Sequence, residues 1–142
     1  MDTAFKNPAL VTAAQTTLRI VIGFLFAAHG WQKFFQFTLD GTTAAFGQMG
    51  VPAAGLVAPV VATLEIVGGI ALVLGVLTRI FAVLLTVNML GALFLVHAPA
   101  GVFVEAGGFE LVLALAAGAA TIALMGPGRM SVDRFMLPRI AA

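Results

Sequence analysis

Apolar residues fill four long stretches of this chain, and polar residues collect between them. The stretches run from about Thr17 to Phe35, Leu56 to Leu77, Arg79 to His97 and Glu105 to Met125. As helices, each is long enough to cross roughly 30 Å of hydrocarbon, which takes about 20 residues. None carries the polar stripe that a helix on a soluble core turns to water. The second and third stretches are separated only by Gly75-Val76-Leu77-Thr78-Arg79. A turn that tight predicts two helices running in opposite directions. The pattern predicts an all-α fold: an integral membrane four-helix bundle, antiparallel, built as a single domain over residues 1–142.

Composition strengthens this reading. Of 142 residues, 61% are hydrophobic and 9% charged, whereas an ordinary globular chain carries about 25% charged residues. Mean hydropathy is +1.12. A soluble domain this small could not cover itself with polar side chains, so the missing polar surface is expected to face lipid. The net charge of +1, without a Lys/Arg-rich run, gives no footing for a nucleic-acid partner. Cysteine is absent, which removes disulfides, thiolate nucleophiles and Cys-ligated metals. A redox role would therefore need a bound organic cofactor or a partner protein.

Basic residues orient the helices. With four spans, Lys6, Arg19, Arg79, Arg129, Arg134 and Arg139 fall on one side and only Lys33 on the other. The positive-inside tendency places both termini in the cytoplasm. Arg19 and Arg79 read most simply as topology determinants, and Arg134 and Arg139 as contacts for lipid head groups. Met1–Thr17 is polar and Ala/Thr-rich rather than signal-like, so the first helix is expected to be retained. The loop Gln36–Gly55 places Phe37, Phe46, Met49 and Val51 between turn residues, which predicts a lid-like amphipathic turn on the outer interface. Trp31, Phe34 and Phe35 beside it form a local aromatic belt.

Candidate chemistry lies in the few polar groups inside the spans: His29, Gln32, Lys33, Glu65, Asn88, His97 and Glu110. A charge at mid-bilayer costs about 2.5 kcal/mol or more, so it turns inward toward a partner. At about 1.5 Å per residue, Lys33 lies roughly 5 Å and His29 roughly 10 Å below the outer boundary, with Glu65 near mid-membrane. His29 and Lys33 are four apart and share a face. Gly68 and Gly69 flank Glu65 and would let a neighbouring helix approach closely. Asn88 and His97, nine residues apart, point to opposite sides of a regular helix. Both can line one cavity only if the helix end unwinds. Each group also has a plainer reading. Lys33 could snorkel to head groups rather than pair with Glu110, His29 could be satisfied by a backbone carbonyl, and Glu110 could only cap or be hydrated. Glu65, too deep to snorkel and too short to reach water, could be a protonated packing residue. Two histidines on separate helices are a poor metal or haem signature.

The string His29-Gly30-Trp31-Gln32-Lys33-Phe34, then Gly50-Val51-Pro52, Glu65-Ile66-Val67-Gly68-Gly69, Gly75 with Thr78-Arg79, Gly107-Gly108-Phe109-Glu110, and Gly126-Pro127-Gly128 with Ser131 and Asp133 resembles the DoxX family in order and spacing. The resemblance spans nearly the whole chain. It implies a multi-pass bacterial inner-membrane protein with a four-helix bundle and a loose association with redox chemistry. Relatives include the small membrane subunit of a thiosulfate:quinone oxidoreductase.

Two classes of function follow. In the first, the chain is a redox-linked membrane subunit with a quinone as cofactor. Glu65 and Glu110 are then catalytic proton-handling groups, His29 and Gln32 hydrogen-bond the carbonyl oxygens, Lys33 holds Glu110 ionised, Asn88 and His97 complete the ligand site, and a partner oxidoreductase supplies electrons. In the second, it is a non-enzymatic small-molecule transporter or binder, or a membrane scaffold for a partner. The lipid bilayer is the partner in either case, and small-residue faces suit association between protomers.

Overall fold

Asn7-Pro8 opens the first helix. The Asn7 side chain accepts a hydrogen bond from the Ala9 backbone N–H at 3.0 Å, and Pro8 occupies a first-turn position where its missing N–H costs nothing. The helix α1 therefore runs Pro8–Trp31 and begins well before the expected Thr17. The computed structural model describes residues 7–136, and these are all-helical, with no strand. Lys6 and Arg139, counted above among the basic residues, lie outside the described residues.

After α1 a π-helical turn covers Gln32–Gln36, and α2 (Leu39–Gln48) occupies the predicted lid-like loop. Then come α3 (Ala54–Leu74) and α4 (Thr78–Ala92), the latter extended by a second π turn, Leu93–His97. A loop with two short 3-10 turns leads to α5 (Glu110–Met125), and α6 (Val132–Met136) follows. The helical stretches Pro8–Gln36, Ala54–Leu74 and Thr78–Ala100 are each long and apolar enough to cross a membrane. The apolar α5 has 16 residues and starts at Glu110 rather than Glu105, because Val104–Ala106 forms a separate 3-10 turn. Phe24, Leu56, Val87, Phe94 and Leu124 stand exposed on these helices, as lipid-facing side chains do.

The contact between α1 and α3 is made of small residues. Gly23 and Gly30 on α1 lie against the α3 backbone: a Cβ on Gly30 would come within 2.6 Å of the Ile66 nitrogen, and one on Gly23 within 2.7 Å of the Gly69 carbonyl oxygen. Without a hydrophobic drive between helices in lipid, such backbone approach supplies the packing. Phe26, Leu72, Leu85, Met89, Leu115 and Ala119 form the core where α1, α3, α4 and α5 meet.

The turn between α3 and α4 is held by distant residues. Gly75, at φ +75°, ends α3 with its N–H directed to Leu72 and Ala71, while the Val76 N–H reaches Ala71 at 2.9 Å, a Schellman arrangement. The Asp133 carboxylate then accepts from the Leu77 and Thr78 N–H groups at 2.7 and 2.8 Å, and the Asp133 N–H donates to the Gly75 carbonyl at 2.8 Å. Arg19 is buried within the protein: it donates to the Leu72 and Val73 carbonyls at 3.0 and 3.2 Å and to the Met130 carbonyl. Those carbonyls end α3, where a cation is favoured. Arg19 thus ties three segments together, a role beyond topology.

Replacing Asp133 with alanine leaves the first N–H groups of α4 unanswered in a buried place. It should lower stability by about 1–2 kcal/mol. A thermal melt of the purified protein checks this; an unchanged midpoint would contradict the assigned cap.

Candidate functional site

A large apolar cavity of about 750 Å³ opens where α1, α2, α3, α4 and α5 converge. Helical phase supplies its walls. On α1 and the π turn after it, Phe26, His29, Lys33 and Phe37 recur at three- and four-residue spacing and face the cavity. On α2, Thr42, Ala45 and Phe46 present one face to it, joined by Met49 just past the helix end. The helix predicted only as a lid-like turn is therefore a wall of the site. Two non-glycine residues with positive φ flank it, Thr38 at 62° and Ala53 at 50°, and the Thr42 hydroxyl donates within reach of the Lys33 and Thr38 carbonyls, both at 2.9 Å. A Thr at that φ is strained, which marks a position the surroundings must hold in place.

Glu65 lies at the centre of the polar wall. Lys33 Nζ donates to Glu65 Oε2 at 2.7 Å, and Asn88 Nδ2 donates to Oε1 at 3.2 Å. Two elements thereby answer one carboxylate on α3: α4 and the π turn after α1. The Lys33 and Glu65 side chains are 18% and 3% exposed, so the ion pair is withdrawn from the surface. Gly69 admits α1 and Gly68 admits Phe81 and Leu85 of α4, so the glycines beside Glu65 bring its neighbours close.

This geometry corrects the expected pairing of Lys33 with Glu110. Lys33 binds Glu65 instead. Glu110 is exposed in the first turn of α5, where its Oε1 accepts from the Val104 N–H at 2.7 Å and closes the preceding loop. It does not reach the cavity. Gln32 also stays outside: its Nε2 donates to Gln36 Oε1 at 3.3 Å on an exposed surface, because His29 and Lys33 take the inward phase.

Asn88 and His97 both line the cavity despite their spacing. The π turn Leu93–His97 widens the helix and shifts its phase by about one residue, roughly 100°. The unwinding that the sequence required as a condition is present. His97 Nδ1 lies 2.7 Å from the Gly107 carbonyl oxygen. A carbonyl only accepts, so in the neutral ring Nδ1 carries the proton and Nε2 is left as the acceptor. Sequence reasoning missed the anchoring of Arg19, the Asp133 cap and the wall formed by α2. The Thr38, Ala53 and Leu77 backbones carry no composition signal that would have revealed them.

The chain matches the DoxX family model over residues 14–98. It is 33% identical over 119 residues to the Bacillus subtilis protein named "Putative oxidoreductase CatD", covering 84% of each chain. It is 35% identical to the inner membrane protein YqjF of Escherichia coli, over 83% of this chain and 88% of the relative. It is 30% identical to the inner membrane protein YphA of Escherichia coli, over 94% of each. No solved structure matches it significantly.

Removing one member of the ion pair should cost far more than removing both. Lys33→Met strands Glu65 and is expected to destabilise by about 3–5 kcal/mol, whereas Lys33→Met with Glu65→Met should recover most of the loss. Melting of both variants in one detergent decides this; equal losses for the two would contradict the pairing.

Proposed function

The chain belongs to the DoxX family and sits in the bacterial inner membrane, and on that footing we propose that it is a redox-linked membrane subunit whose cavity binds a quinone-type small molecule. The observation that carries this is a mostly apolar cavity of about 750 Å³ with a few polar groups on its wall, Lys33, Glu65 and Asn88 bonded together, His29 beside them, and His97 and Thr42 elsewhere on the lining. Small-molecule sites measure about 300–1,000 Å³ and combine a mostly apolar lining with a few placed polar groups. A quinone fits that description: its ring and tail need apolar walls, and its carbonyl oxygens need donors. A bound quinone supplies two-electron, two-proton chemistry.

The chain's own groups have distinct parts in this reading. Lys33 donates to a carbonyl oxygen while holding Glu65 in place. Asn88 fixes the other Glu65 oxygen and so orients the carboxylate, which exchanges protons with the ligand. His97, held by the Gly107 carbonyl, offers its Nε2 as an acceptor. This sequence has no cysteine to carry electrons, so a partner oxidoreductase would have to exchange them with the ligand. The name of the CatD relative favours a redox setting.

The topology belongs to the same proposal. Four antiparallel spans, with α5 completing the bundle, place both termini in the cytoplasm. Exposed Arg79, Arg129 and Arg134 support that side as the inner one, and Lys33, the cation assigned to the other side, is withdrawn into its ion pair.

Decylubiquinone binding in lipid nanodiscs tests the reading. Saturable binding above that of protein-free discs is expected, and Ala92→Trp, which fills the cavity from α4, should weaken it about tenfold with little change in melting. Absence of saturable binding, or equal binding by the filled variant, would overturn it.

A further inference from the structure

Glu65 has both oxygens engaged, Oε2 by the Lys33 ammonium at 2.7 Å and Oε1 by the Asn88 amide at 3.2 Å. Lys33 and Glu65 cancel in formal charge, so the polar cluster brings no net charge to a mostly apolar cavity lined, among the described residues, by no other Lys, Arg, Asp or Glu. Hydrogen-bonding valence is left over on both partners, since each Glu65 oxygen receives one bond and can accept another. An ammonium has three N–H donors, and Glu65 takes one of them. The cluster can therefore still donate to a ligand, but it has no spare charge with which to balance one.

We infer that the cavity selects uncharged amphiphiles whose head carries a hydrogen-bond acceptor and turns anionic amphiphiles away, and that Glu65 is the residue that sets this selectivity by cancelling Lys33. A carbonyl head meets an idle Lys33 donor and leaves the wall neutral. A sulfonate or carboxylate head meets the same donor but adds a negative charge beside Glu65 in a place of low dielectric, where an uncompensated charge is costly. Lys33 alone would be a good anion site, and Glu65 is what prevents it from becoming one. The inference rests on the cavity being a small-molecule site, as proposed above, but not on the ligand being a quinone. A purely structural ion pair would make a different prediction: its loss would alter stability and leave the ranking of ligands untouched.

The test measures saturable binding of three probes to the full chain in nanodiscs: 2-dodecanone, decanesulfonate and decylubiquinone. The wild-type protein should bind the ketone at least about tenfold more tightly than the sulfonate. Glu65→Gln keeps the shape and a group for Asn88 to bond but frees the ammonium. It should tighten sulfonate binding at least about tenfold relative to ketone binding. Lys33→Met with Glu65→Met removes both charges and should lose the Lys33 contribution to ketone binding while still refusing the sulfonate. Equal wild-type affinity for ketone and sulfonate overturns the inference, as does a Glu65→Gln protein with an unchanged ratio. Should Glu65→Gln fail to fold, unchanged ketone affinity in the double variant overturns it instead. Decylubiquinone reports separately: if it fails to bind while the ketone binds selectively, the quinone reading falls and charge selection stands.

Discussion

A carboxylate placed among hydrocarbon side chains has to be answered by polar groups carried on other segments. Glu65 is answered on both of its oxygens, by Lys33 from the π turn after α1 and by Asn88 from α4. The consequences reach well beyond the three residues. Lys33 must arrive at α3, so α1 and α3 approach through Gly23, Gly30 and Gly69, where a Cβ would meet backbone atoms. The long α1–α3 contact and the polar wall are in this sense one design, and a larger residue at any of the three glycines would push Lys33 away from Glu65.

The two ends of the molecule solve opposite problems. Around Arg19 the chain is closed: its guanidinium gathers carbonyls from the end of α3 and from Met130, and Asp133 caps the start of α4. Around Lys33 and His97 it is open, with the helices ending in π turns and a cavity between them. Wide turns leave helical phase adjustable, which lets Lys33 and His97 both point inward. A closed end tied by long-range hydrogen bonds opposite a hollow one suits a protein that holds a ligand near one face of the membrane.

Much of this was legible in the sequence. The apolar stretches gave the helices, and Gly75 with its short surroundings gave the tight turn, because apolar periodicity and glycine at a helix end act locally. Glu65 stood out because no other acidic residue lies so deep in an apolar run. Its partner did not: separation along the chain does not say which acid Lys33 meets, and only the way α1 packs on α3 selects Glu65 over Glu110. Glu110 was misjudged because its side chain turns back to Val104, a loop contact that no helical wheel includes. His97 depended on one π turn, and Arg19 on a segment more than a hundred residues away. Local patterns were readable, and long-range partners were not.

The functional account depends on Glu65 being held by Lys33 within the membrane-embedded protein, since both the neutral wall and its choice of ligand follow from that contact. Solid-state NMR on the protein in lipid, with Glu65 carboxyl carbon and Lys33 Nζ labelled, measures it directly. The ion pair predicts a strong carbon–nitrogen dipolar coupling, corresponding to a separation of about 3.5 Å given the 2.7 Å oxygen–nitrogen contact. Absence of that coupling, with Lys33 free at the membrane surface, would contradict the account.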